Sequence, residues 1–123
     1  MNLYASREDY LEAILVLYKK FGSVRSVDIA RHMGVSKPSV CHAVNVLCDG
    51  GFLTKDDKHF ISLTEEGRKV AEKIYERHKF FKEQLISAGV RPNIAETEAC
   101  RIEHCISDES FFKLKEHREK GKG

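Results

Sequence analysis

The segment EACRIEHCISDE, residues 98–109, sets a thiol, an imidazole and a carboxylate close together as Cys100, Glu103 and His104. On a helix these stand at i, i+3 and i+4 and point the same way. Such a trio is either ordinary polar surface or a set of metal ligands. Sulfur, nitrogen and oxygen donors converging on one patch suit a divalent transition ion. Three further donors stand on other segments. His78 falls on the apolar stripe of a predicted long helix, where a core residue is expected. Asp9 and Glu12 are i, i+3 at the edge of the apolar face of a predicted first helix. Each has a plainer reading alone: His78 as a hydrogen-bonded core histidine, Asp9 as a partner of Ser6 at a helix start, Glu12 as a solvated charge. If the three helices pack together, six donors converge. Cys41, Cys48 and Cys105 read as small packing residues, the first two near the core edge of their helix.

The elements that would position these groups follow from period and punctuation. Leu11, Ile14, Leu15 and Tyr18 recur at helical spacing and predict a helix from about Arg7 to Lys20, capped by Ser6. Ser26 is the expected cap of a short helix carrying Val27, Ile29, Ala30 and Met33, which Gly34 stops. Ser36 caps the next, with Pro38 in its first turn, where a missing N–H costs nothing. Its buried stripe is Val40, Val44 and Leu47. After Asp49-Gly50-Gly51, the runs 52–54 and 59–63 flank the polar turn 55–58 and predict a hairpin. Thr64 caps a long helix from Glu65 to about Ser87, with acids in its first turn as the helix dipole favours. Its stripe is Val70, Ile74, Arg77/His78, Phe81 and Leu85. Gly89 closes it. Asn93 is the expected cap of a helix through Ile106, with a core stripe of Ala95, Ala99, Ile102 and Ile106. Ser107 is the expected cap of a last helix, Asp108 to about Glu119.

Composition narrows the function classes. The chain has 123 residues, 41% hydrophobic and 33% charged, which supplies a core and a well-solvated surface rather than a disordered chain. No run approaches the roughly 18–20 apolar residues of a membrane span, and MNLYASREDY does not read as a signal peptide, so a cytoplasmic location is expected. In that setting the four cysteines are thiols or ligands rather than disulfides, and their spacings match no CxxC zinc pattern. The formal charge of +2 makes any basic footprint a local one.

Helix, short helix, glycine turn, helix and two-stranded hairpin is the order of a winged helix-turn-helix. SVDIARHMGVSKPSVCHAVNVLCDGGFL carries it. The second helix of the motif would present Ser36, Lys37, Ser39, His42 and Asn45, with Pro38 in its first turn, to phosphates and base edges in a major groove. Lys55 and Lys58 of the wing would reach the DNA backbone. The fold expected is therefore mainly α. A winged helix-turn-helix DNA-binding domain (1–63) precedes a helical metal-binding and dimerisation domain (64–123).

Four stretches together, REDYLEAI (7–14), DIARHMGVSKPSV, LTEEGRKVA with ERH at 76–78, and EACRIEH ahead of SDE, make the sequence recognisable. It resembles the diphtheria-toxin-repressor family of metal-dependent transcriptional regulators, including its manganese-transport-regulator branch, over residues 7–115. The resemblance implies a homodimer that binds a palindromic operator when divalent metal is bound, and that shuts off metal-uptake genes. It implies one site from Asp9, Cys100, Glu103 and His104. Glu12 and His78 match ligands of a neighbouring site in the manganese branch. The chain departs from both branches. The iron branch has methionine where this chain has Asp9, and the manganese branch has a carboxylate where it has Cys100. At positions of other second-site ligands of the iron branch it has Lys82 and Glu96. The iron branch carries a third, SH3-like domain, for which this chain is too short. Hard oxygens suit Mn(II), while Cys100 favours Fe(II), Co(II) or Zn(II). Mn(II) or Fe(II) is the expected effector. Binding should release protons and weaken at low pH.

Two other readings have their own signatures. A metal-independent winged-helix regulator sensing redox through its cysteines would bind DNA regardless of chelators. An enzyme would need a nucleophile–base pair or a phosphate-cradling glycine loop, and the sequence shows neither. The expectation is a regulator with no catalytic residues, no organic substrate and no membrane contact.

Overall fold

A computed structural model describes residues Arg7–Gly121. The elements run α1 (Arg7–Phe21), α2 (Ser26–Met33), α3 (Lys37–Asp49), β1 (Leu53–Lys55), β2 (Ile61–Leu63), α4 (Glu65–Ser87), α5 (Pro92–Ile102) and α6 (Asp108–Gly121). They form two compact units that divide between Lys73 and Ile74, inside α4. No helix among the described residues is long and apolar enough to cross a membrane.

In the N-terminal unit, α1, α2 and α3 pack on one another and on the hairpin. Ile14, Val24, Ile29, Val40, Val44, Leu47, Leu53 and Ile61 are all but fully buried there. Gly34 ends α2 in the left-handed conformation, φ 68° and ψ 34°, which glycine adopts without the Cβ clash of other residues. The Ser36 hydroxyl accepts from the Ser39 N–H and starts α3, with Pro38 in the first turn. β1 and β2 pair antiparallel, Leu53 opposite Leu63. The Asp56 carboxylate accepts from the N–H groups of Lys58 and Phe60 and shapes the turn. Thr64 caps α4 by accepting from the Gly67 N–H, while its own hydroxyl donates to the Gly51 carbonyl. A Cβ at Gly67 would stand 2.0 Å from the Phe52 carbonyl oxygen, so only glycine fits there.

In the C-terminal unit, Phe80, Phe81, Ala99 and Phe111 form the core, with Ile102 and Ile106 packed against them. The Phe80 ring meets Phe81 and Phe111 edge to face, at centroid distances of 5.1 and 5.5 Å. Buried Arg77 donates to the Ile106 carbonyl and pairs with Asp108, fastening the α5–α6 turn to α4. Ser107 caps α6 by accepting from the Ser110 N–H.

Several expectations need correction. α5 ends at Ile102, not Ile106, which leaves Glu103 at the helix end and His104 in the following turn. The apolar period continues through Ile106, but Arg77 takes the Ile106 carbonyl and draws the chain out of the helix. The residue preceding α5 is Arg91 rather than a capping Asn93, because Pro92 already occupies the first turn. Likewise Arg25, not Ser26, precedes α2, and the Asp28 carboxylate accepts its N–H. Tyr18 is 56% exposed, and Leu17 is buried in its place. Val27 is also exposed. Cys41 and Cys105 are exposed and Cys48 half-buried, so none is a core residue. The expected Ser6 cap lies outside the described residues.

Candidate metal centre

α4 and α5 position the central groups of the C-terminal unit. His78 is buried on α4 and Glu103 at the end of α5 is fully buried, at 0% exposure. Cys100, one turn before Glu103, has an exposed flank. Imidazole, thiol and carboxylate offer ligand atoms within 4.8 Å of one another. His78 Nδ1 lies 2.9 Å from Glu103 Oε2 and 3.6 Å from Cys100 Sγ. Its other nitrogen, Nε2, lies 2.9 Å from Glu96 Oε1. Lys82 Nζ lies 2.8 Å from Glu96 Oε2. His104 Nε2 is 3.4 Å from Glu103 Oε1.

These contacts set the protonation states. The Cys100 thiol first, then the Glu103 carboxylate, raise the His78 pKa to about 11 against the opposing effect of burial, with Glu96 adding to the rise. The ring is therefore an imidazolium that donates from both nitrogens in the metal-free chain. Burial pushes the Glu96 carboxyl up, but hydrogen bonds from Lys82 and His78 outweigh it and hold its pKa below the ordinary value.

Glu103 Oε1 is buried and has no hydrogen-bond partner among the described residues. A buried carboxylate oxygen left so costs on the order of 1–3 kcal/mol or more. The residues fit a divalent ion at this position. They bring one imidazole nitrogen, one thiol sulfur and one carboxylate oxygen within 4.8 Å of one another, the donor set that such ions take.

Of the residues expected to bind metal, His78, Cys100 and Glu103 stand together, and His104 adjoins Glu103. Asp9 and Glu12 stand half-buried on α1, in the N-terminal unit. All eight residues expected to meet DNA are exposed: Ser36, Lys37, Pro38, Ser39, His42 and Asn45 on α3 and its cap, Lys55 at the end of β1, and Lys58 in the turn. The Ser36 and Ser39 hydroxyls are 2.8 Å apart, so one donates to the other. Cys41 was missed. It is exposed and shares a helical row with Pro38, His42 and Asn45, at i, i+3, i+4 and i+7. That spacing was readable; the small apolar character of cysteine concealed it. Glu96, noted with Lys82 as a departure, proves to be a direct neighbour of both His78 and Lys82.

Two family models divide the chain between them. The iron dependent repressor N-terminal DNA binding domain matches residues 2–59. The iron dependent repressor metal binding and dimerisation domain matches residues 64–120. A transcriptional regulator, MntR, of Escherichia coli O6:H1 is 36% identical over 104 residues, 85% of this chain and 67% of that protein. The chain belongs to the iron-dependent repressor family. An HTH-type transcriptional regulator of Methanocaldococcus jannaschii is 33% identical over 119 residues, 95% of either chain. Among solved structures, the manganese regulator SloR superposes with a TM-score of 0.84 at 26% identity, over 95% of this chain and 55% of that one. This family member thus spans little more than half the length of that structure.

Proposed function

We propose that this family member is a metal-activated repressor that binds palindromic operator DNA as a homodimer and controls metal-uptake genes. The observation that carries the reading is Glu103: a fully buried carboxylate with one oxygen on His78, the other without a hydrogen-bond partner, and a thiol alongside. His78, Cys100, Glu103 and His104 would hold the ion, and the resemblance adds Asp9 and Glu12 as further ligands. Bound there, a divalent ion supplies the positive charge that a buried carboxylate needs. His78 would ligate as a neutral imidazole with Nε2–H kept on Glu96, Cys100 as a thiolate and Glu103 as a carboxylate. With these groups fixed, the arrangement that fits DNA becomes the populated one.

At the DNA, Lys37 with the Ser36 hydroxyl meets phosphates at the start of α3, and Lys55 and Lys58 meet the backbone beside it. His42 and Asn45 read base edges, where asparagine suits adenine. Mn(II) or Fe(II) is the effector proposed. The similarity to the manganese regulator SloR supports the first, and the soft sulfur of Cys100 supports the second. Glu103→Gln and His104→Ala test the ligand assignment. Both variants should stay folded by circular dichroism and lose metal-dependent binding to an operator fragment in fluorescence anisotropy. Either variant binding DNA with the wild-type metal dependence would show the assignment to be wrong.

A further inference from the structure

Four residues on α4 and α5 form a closed set beside the centre. His78 and Lys82 are i, i+4 on α4, and Glu96 and Cys100 are i, i+4 on α5, so each pair lies on one helix face. Contacts run between the pairs. His78 Nε2 meets Glu96 Oε1 at 2.9 Å, Lys82 Nζ meets Glu96 Oε2 at 2.8 Å, and His78 Nδ1 faces Cys100 and Glu103. Both oxygens of Glu96 are therefore used.

We propose that Glu96, held by Lys82, is a positioning residue that fixes the His78 ring so that Nδ1 faces the metal. The proposal rests on the metal reading above. A neutral imidazole carries one N–H, and the hydrogen bond made by one nitrogen decides which nitrogen is free to ligate. In a neutral, metal-loaded ring with Glu96 accepting from Nε2–H, the lone pair would be on Nδ1, the atom beside Cys100 and Glu103. Carboxylate partners of metal-ligating histidines act in this way. Glu96 is half exposed and on its own would sample several rotamers; the Lys82 ammonium removes that freedom. The same ammonium sets a positive charge against Glu96, so a second divalent ion cannot use this carboxylate without displacing Lys82. The His78–Lys82 and Glu96–Cys100 set is a one-ion arrangement.

The test is anaerobic titration with Co(II) of the full chain, kept reduced with a phosphine. The thiolate-to-cobalt charge-transfer band reports Cys100 ligation, and the visible ligand-field bands report the donor set. Glu96→Ala should weaken Co(II) binding by about 10–100-fold and change the ligand-field bands. Glu96→Gln keeps a carbonyl acceptor for Nε2–H and should restore both. Lys82→Met should weaken binding less than Glu96→Ala does. Wild-type affinity and bands in Glu96→Ala would overturn the relay while leaving the metal centre standing. Equal losses in Glu96→Ala and Glu96→Gln would also overturn it, because charge and not the acceptor would then be what matters. A wild-type chain that gives no thiolate-to-cobalt band would instead overturn the metal reading itself.

Discussion

A buried carboxylate is costly, and the chemistry of the centre follows from how that cost is met at Glu103. Its Oε2 is met by the His78 imidazolium, while Oε1 makes no hydrogen bond and has His104 Nε2 3.4 Å away. In the proposed centre Cys100 would decide which cation is preferred. It is the one soft donor in a set otherwise made of imidazole and carboxylate, and soft donors move preference away from Mn(II). Cys100→Glu should therefore raise the affinity for Mn(II) relative to Co(II), measured by competition against a metal-binding dye. An unchanged ratio would mean that Cys100 does not ligate. Residue types and spacing made His78, Cys100, Glu103 and His104 visible as candidates, because ligand chemistry is a property of side chains. The pairing of His78 with Glu96 and Lys82 was not visible, since it depends on which faces of α4 and α5 meet.

At the scale of elements, short-range rules were the legible ones. Ser36, Thr64 and Ser107 cap helices where their sequence neighbourhoods predicted, and Gly34 makes the turn of the helix-turn-helix. These are contacts across three or four residues, so a local reading suffices. The end of α5 was not legible. Its apolar period ran on to Ile106, whereas the decisive contact comes from Arg77 on α4, far away in sequence. Burial was over-read at Tyr18, Cys41 and Cys105 for a related reason: residue type suggests an interior, but helix phase assigns the face. Stability predictions belong at this scale. Gly34→Ala forces a left-handed conformation on a Cβ and should cost about 1–2 kcal/mol. Gly67→Ala meets the Phe52 carbonyl at 2.0 Å, a backbone atom that cannot swing aside. It should cost more than Gly34→Ala, at or above the roughly 1–3 kcal/mol of ordinary overpacking. Urea denaturation of the metal-free chain checks both, as lower midpoints at unchanged slope. A Gly67→Ala variant as stable as wild type would contradict the packing of α4 on the hairpin. Phe111→Ala removes the ring at the centre of the C-terminal core and should cost about 3–5 kcal/mol by the same measurement.

For the whole molecule, a formal net charge of +2 provides little general attraction to DNA, so the proposed operator affinity would come from the face of α3 and the wing. Lys37→Ala should weaken binding evenly across sequences and reduce the salt slope of log K by about one, checked by anisotropy titrations at several salt concentrations. A sequence-selective loss would place Lys37 on a base instead. The central claim is that DNA binding waits on metal. Its direct test is an equilibrium titration of chelator-stripped chain against a palindromic promoter fragment, anaerobic and at fixed salt. Mn(II), Fe(II), Co(II) or Zn(II) is added singly. Tight binding that appears only with metal, and disappears again with chelator, is the result expected. Equal affinity with and without metal would contradict the account and leave His78, Cys100 and Glu103 as a polar cluster with no part in regulation.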